Sequence, residues 1–232
     1  MPPRALEPAG VALVDKPAGP SSHAIVAQIR RVTGARTGHA GTLDPFATGL
    51  LLVLSGRATK LAPWLVGLDK RYRTDVDLTS RTSTGDPEGP VVEALEPPDA
   101  EELERRLALL RGEIELPIPA ASAVKIGGER AYRLARRGVE VEMPRRRSTV
   151  HALDVIAYRG ERVTLDLRVS SGTYVRAIAD ALGGHCRTLR RTEVGPFSVD
   201  DAVAPEAFDA ARLLAEGDVL ALVERARAGG AA

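Results

Sequence analysis

The densest run of residues able to do chemistry is Gly38-His39-Ala40-Gly41-Thr42-Leu43-Asp44-Pro45-Phe46-Ala47-Thr48-Gly49. A phosphate-cradling loop would end in Gly-Lys-Ser/Thr, and a dinucleotide fingerprint would place its glycines between strand and helix at another spacing; neither pattern is present. His39 and Asp44 are potential metal ligands, but no third ligand lies nearby in the sequence. Pro45 disfavours helical backbone at Asp44, and the glycines let another backbone come close. Asp44 is therefore a loop carboxylate on a scaffold, the setting in which catalytic groups concentrate. Taken alone, it reads more readily as a simple turn aspartate.

The elements around this loop are legible from pattern. Gly10 to Asp15 reads as a short buried strand stopped by Lys16-Pro17. Ser21-Ser22 caps a helix with Ile25, Val26, Ile29 and Val32 on its apolar face, ending at Gly34. Leu50 to Leu54 is an apolar run of strand length, Ala58 to Leu68 a helix carrying Leu61, Trp64 and Leu65, and Arg71 to Thr79 a strand. Asp99 caps a helix with Leu103, Leu107 and Leu110 inward, closed by Gly112. Leu116 to Ala121, with two prolines, reads as irregular and extended, and Gly128 to Gly138 as a short basic helix. Thr149 to Tyr158 and Arg162 to Val169 pair as strands; Thr173 to Leu182 is a helix and Leu189 to Val194 a strand. Helices and strands mix without a βαβ rhythm, which predicts an α+β fold.

The 232 residues suffice for one large domain, or one domain with a small appendage. Cys186 is the sole cysteine, so no intramolecular disulfide can form, and no Cys/His spacing reads as a zinc site. The N-terminal MPPRALEPAG lacks the apolar run of a signal peptide, and no stretch is apolar for long enough to span a bilayer. A cytoplasmic protein with no membrane partner is expected. The net charge of +1 conceals an asymmetry. Lys125, Arg130, Arg133, Arg136, Arg137, Arg145, Arg146 and Arg147 cluster against only Glu129, Glu140 and Glu142, whereas acids dominate from Asp200 onward. A solvated charged helix explains the basic stretch as readily as a polyanion site does.

The motifs taken together are more specific than any one of them. GHAGTLDPFATGLL resembles the catalytic segment of TruB-type pseudouridine synthases, in which the aspartate of G-x-L-D-P performs the isomerisation. The resemblance continues in order along about the first 200 residues. Val14-Asp15-Lys16-Pro17-Ala18-Gly19-Pro20-Ser21-Ser22 is similar to the D-K-P-x-G-x-x-S segment, and Asp69-Lys70-Arg71-Tyr72 to D-K-x-Y. Gly172-Thr173-Tyr174-Val175-Arg176 is similar to G-T-Y-I/V-R, and Leu189-Arg190-Arg191-Thr192 to L-R-R-T.

The resemblance implies a pseudouridine-synthase fold, with a central, mixed, mostly antiparallel sheet, flanking helices and a thumb insertion at about 122–147. It implies isomerisation of the uridine at position 55 in the tRNA T-loop, by base flipping and with no cofactor. Asp44 is then the essential carboxylate and Arg176 its ion-pair partner. Tyr72 packs on the flipped base, and Tyr174 and Leu189 complete the slot. His39 holds the RNA, Asp86 contacts it near the target, and Lys16 belongs to the RNA-binding set. In the thumb, Lys125, Arg130, Arg133, Arg136 and Arg137 grip the T-arm. Whether Asp44 adds to the base, adds to the sugar, or assists elimination stays open.

The domain reading is a catalytic domain over 1–200 and a short acidic helical tail over 201–232, around Ala207 to Ala228, too short for the C-terminal RNA-binding (PUA) domain common in the family. A monomer is expected. The rivals are a tRNA-folding chaperone with little catalysis, a hydrolase using His39 and Asp44, and pseudouridylation of another RNA.

Overall fold

The computed structural model describes residues 8–137, 139 and 141–229, leaving the side chains of Ala135 and Arg136 outside that description. Two units are distinguished: Met1–Tyr72 with Arg190–Ala232, and Arg73–Leu189. In chain order the elements are β1 (Gly10–Lys16), α1 (Ser22–Thr33), β2 (Thr37–His39), β3 (Thr48–Ser55), α2 (Ala62–Val66) and β4 (Lys70–Asp77). There follow β5 (Ser80–Thr82), β6 (Val91–Ala94), α3 (Ala100–Ala108), β7 (Gly112–Pro117), β8 (Lys125–Ile126), β9 (Glu129–Arg130) and α4 (Ala131–Arg136). The last are β10 (Arg145–Tyr158), β11 (Arg162–Val169), α5 (Val175–Ala181), β12 (His185–Val194), β13 (Phe197–Ser198) and α6 (Glu216–Gly229). The class is α+β with mostly antiparallel strand pairing.

In the first unit, β3 is buried along nearly its whole length, which explains its unbroken apolar sequence. Strand β1 covers one edge antiparallel, from Gly10↔Ser55 to Lys16↔Gly49. The other edge is shared. Strand β2 pairs antiparallel with the end of β3, His39 facing Val53, while the end of β12 runs parallel to its start, Arg191 facing Gly49. Residues 40–47 therefore leave β2 and re-enter at β3 as one loop. Leu50, Leu52 and Leu54 share a core with Val11, Phe197 and Val219. Helix α1 packs on β2 and β3; Ser21 caps it by accepting from Ala24 N, and Gly34 closes it at φ 66°. The tail is bound to β1 by bridges Val14↔Val203 and Val11↔Leu214.

In the second unit the strand order is β12-β4-β11-β10-β7. Strand β10 pairs antiparallel with β11 and β7, and two bulges interrupt its ladder with β11. Asp99 caps α3 by accepting from Glu102 N, and Leu103 and Leu107 face inward as the pattern predicts.

Four local expectations need correction. Ala58 to Leu68 is a 3-10 turn followed by the short α2, and Trp64 is exposed, with the Arg227 guanidinium 6.0 Å from its ring centre. Pro63 enters at the head of α2, where no amide is required of it. Leu116 to Ala121 is not wholly irregular, since β7 runs to Pro117, opposite Arg145. Between Lys125 and Arg130, Gly127 and Gly128 take positive φ and turn a β8–β9 hairpin, so the basic helix starts only at Ala131. The tail helix starts at Glu216, because the preceding residues give their backbone to 3-10 turns and to the bridges with β1.

Candidate active site

Asp44 lies half-buried in the 40–47 loop, and the sequence fixes that loop through three side chains of its own unit. Lys16, at the end of β1, is 0% exposed. Its ammonium donates to the carbonyls of Pro17 (2.9 Å), Pro45 (3.0 Å) and Ala47 (2.6 Å). Ser22 Oγ accepts from Leu43 N at 2.8 Å and donates to Leu43 O at 2.9 Å. Arg191 on β12, 1% exposed, donates through Nε to Leu50 O at 2.7 Å and through Nη2 to Gly41 O at 3.1 Å. Gly19 N adds a bond to Pro45 O, and Ala47 N one to Asp44 O. Carbonyls on both sides of Asp44 are thus satisfied by buried donors, the condition for a loop to hold one shape.

Two supports stand behind this arrangement. Arg190 grips Asp15 with both terminal nitrogens, at 3.0 and 2.8 Å, joining β12 to β1. Gly49 sits at φ 100°, and a Cβ there would lie 2.2 Å from Arg191 O, so only glycine lets β12 approach the start of β3.

Lys16 was expected among the RNA contacts. It is buried, and its charge is directed at the backbone of the Asp44 loop. His39, at the end of β2, packs edge-to-face on His23 with ring centres 5.2 Å apart. Its Nδ1 is buried with no hydrogen-bond partner among the described residues. Burial first, then the charges of His23 and Arg191, lower its pKa from the usual imidazole value, which favours a neutral ring near pH 7. Lys70 is buried with its ammonium on Val66 O and Leu68 O, both at 2.5 Å. Tyr72, two residues on along β4, is buried.

In the second unit, Gly172 turns at φ 82° into Tyr174, the residue that precedes α5. Tyr174 is half-buried and Leu189 buried. The Arg146 guanidinium lies over Gly172, where a Cβ would meet Nη2 at 2.2 Å. Arg176 is 3% exposed; it donates to Thr84 O and Ala121 O and stands 3.4 Å from an oxygen of Asp86. Asp86, 5% exposed, also accepts from Thr84 Oγ1 at 2.6 Å and from Glu88 N at 3.0 Å. Asp86, expected to contact RNA, has its carboxylate buried beside the Arg176 guanidinium and the 84–88 turn. In the β8–β9 hairpin and the α4 segment, Lys125, Arg130, Arg133 and Arg137 are exposed; Arg137 pairs with Glu129 at 2.7 Å, and the Arg133 guanidinium lies 5.9 Å from the Tyr132 ring centre. The Arg136 side chain and Gly138 lie outside the described residues. Among the described residues, no group of three His, Cys, Asp or Glu could hold a metal ion, and no helix is long and apolar enough to cross a membrane.

Sequence reasoning named Ser22, Arg191 and Arg146 without attaching these contacts to them. The first two lie inside motifs already singled out, Ser22 as a helix cap and Arg191 beside Leu189, so the signal was present without a role attached to it.

Residues 29–175 match the family described as TruB family pseudouridylate synthase (N terminal domain). The chain belongs to that family. This TruB-family chain is 45% identical over 212 residues to tRNA pseudouridine synthase B of Mycobacterium sp. (strain KMS), covering 86% of the chain and 71% of the relative. It is 43% identical over 232 residues to that of Thermobifida fusca (strain YX), covering 93% and 78%. Among solved structures it resembles a Cbf5-Nop10-Gar1 complex, at TM-score 0.63 and 29% identity, over 84% of this chain and 51% of that one. An H/ACA RNP bound to a substrate RNA shares the fold, at TM-score 0.64 and 24% identity, over 86% and 52%. The chain thus spans about half the length of these solved chains.

Proposed function

We propose that the chain isomerises uridine to pseudouridine at position 55 in the T-loop of tRNA, with Asp44 as the essential carboxylate. The observation that carries this reading is the Asp44 loop, held by Lys16, Ser22 and Arg191 in a member of a pseudouridylate-synthase family. In the reaction, the bond from ribose C1′ to uracil N1 breaks, the base rotates, C1′ bonds to C5, and the C5 proton is replaced by one on N1. Atoms and electrons balance without an oxidant or co-reactant. A carboxylate on a fixed loop can attack or stabilise the electron-poor centre that forms.

Tyr72, Tyr174, Leu189 and Arg176 serve the extruded base in this reading, and His39 holds the RNA around it. Extrusion costs a few kcal/mol, least in a loop already partly unstacked. The exposed Lys125, Arg130, Arg133 and Arg137, with Arg136, supply phosphate contacts that position the T-arm. The curated relatives' shared name, tRNA pseudouridine synthase B, supports the substrate class. We read the chain as a monomeric cytoplasmic enzyme, in keeping with its single, buried cysteine.

The test is incubation with an unmodified tRNA transcript, carbodiimide labelling and primer extension. One stop at the T-loop uridine supports the reading. Tight binding with no stop would favour a folding chaperone, and stops in other RNAs alone would move the substrate elsewhere.

A further inference from the structure

From Lys16 to Leu43 the chain has no acidic residue. It places Arg30, Arg31 and Arg36 in this stretch, all exposed, and among the described residues none of them makes an ion pair. On α1, His23, Val26, Ala27, Arg30 and Arg31 fall at i, i+3, i+4, i+7 and i+8, which is one stripe at helical spacing. These residues, with Gly34 and Thr37, line a surface groove. The opposite stripe, Ser22, Ile25, Ile29 and Thr33, is buried. At one end of the groove, His23 packs on His39, five residues before Asp44, and neighbouring Ser22 holds Leu43.

A bland account exists for two of these charges. Cations in the last turn of a helix suit its dipole, and Arg30 and Arg31 stand there. That account explains their sign. It does not explain a groove between them and His23, the absence of any acid over this stretch, or the contact of its far end with the His39 that leads into the catalytic loop.

We propose that this groove is a second track for the sugar-phosphate backbone of the RNA substrate, on the Asp44 side and separate in sequence from the thumb. The inference rests on the reading that the chain acts on RNA. Two unpaired guanidiniums flanking small residues (Ala27 and Gly34) admit a phosphate closely, and guanidinium forks suit phosphate geometry.

The experiment uses the full chain and an unmodified tRNA transcript, comparing wild type, Arg30→Gln/Arg31→Gln and, as a control, Arg225→Gln on α6. Circular dichroism first establishes that each is folded. Affinity is measured from about 50 to 200 mM salt, where each phosphate contact contributes about 0.7–0.9 to the log–log slope. The double variant is expected to lose about 1.4–1.8 of slope and to bind about tenfold or more weakly near 100 mM salt, with turnover at saturating RNA kept within about twofold. The control should match wild type. If wild type binds and isomerises while the double variant keeps its slope and affinity, the groove assignment falls and the function stands. Lost turnover with unchanged affinity would also overturn it, since the arginines would then act on the loop. If wild type neither binds nor isomerises, the functional reading falls and the groove with it.

Discussion

The Ser22 hydroxyl meets both peptide groups of Leu43, accepting from its amide at 2.8 Å and donating to its carbonyl at 2.9 Å. One buried side chain at the head of α1 thereby fixes the backbone immediately before Asp44. Removing the hydroxyl leaves a buried amide and a buried carbonyl without that partner. Ser22→Ala is expected to lower unfolding free energy by about 1–3 kcal/mol in urea and to reduce turnover more than RNA affinity. An active-site effect confined to affinity would contradict this role.

Lys16 separates two interpretations of one motif residue. As a buried clamp on Pro17, Pro45 and Ala47, its replacement by Met should cost at least about 3 kcal/mol of stability. Where the variant is still folded, the salt dependence of RNA binding should equal wild type's. A slope smaller by about 0.7–0.9, the size of one phosphate contact, would return Lys16 to the RNA interface.

Asp86 is expected to behave as a structural ion-pair partner. Asp86→Asn removes the charge of the buried carboxylate that stands 3.4 Å from the Arg176 guanidinium and accepts from Thr84 and Glu88, a loss of about 1–3 kcal/mol. Thermal unfolding followed in the same buffer as the activity assay checks this. A fully stable variant defective only in RNA binding would show that the carboxylate serves the substrate.

Lys70 gives the fold a signature in alkaline pH. Burial, then the nearby charge of Arg191, lower its pKa to about 8, with Asp69 opposing. The unfolded chain keeps the proton to about 10.4. Below pH 8 both states are protonated, and the penalty of burying the charge is present in full. Between about 8 and 10.4 the unfolded state binds more protons, so stability rises with pH. Urea midpoints across that range should rise for wild type relative to Lys70→Met. Parallel curves for the two proteins would contradict the assignment.

Much of this architecture could be read from residue pattern, and the exceptions share a cause. Strand β3 announces itself because both of its faces are buried, and α1 and α3 because Ser21 and Asp99 cap them in the expected way. Trp64 misled because an apolar ring reads as core, whereas it stands exposed at the surface near the Arg227 guanidinium. The candidate residues were legible as motifs, but the contacts that support them were not. Lys16 and Asp86 carry charges that pattern assigns to solvent or RNA, and only tertiary contacts show the carbonyls and the Arg176 guanidinium beside them. Ser22 and Arg191 were in view from the motifs, yet a hydroxyl or guanidinium facing a backbone far away in sequence leaves no local signal.

The most direct test of the central claim is Asp44→Asn, assayed on an unmodified tRNA transcript for both binding and pseudouridine formation. The exchange keeps side-chain size and removes the carboxylate. The account predicts wild-type RNA affinity within about threefold and no detectable isomerisation, even with enzyme in excess over RNA. Measurable pseudouridine at the T-loop with Asp44→Asn would contradict it and require another residue to do the chemistry.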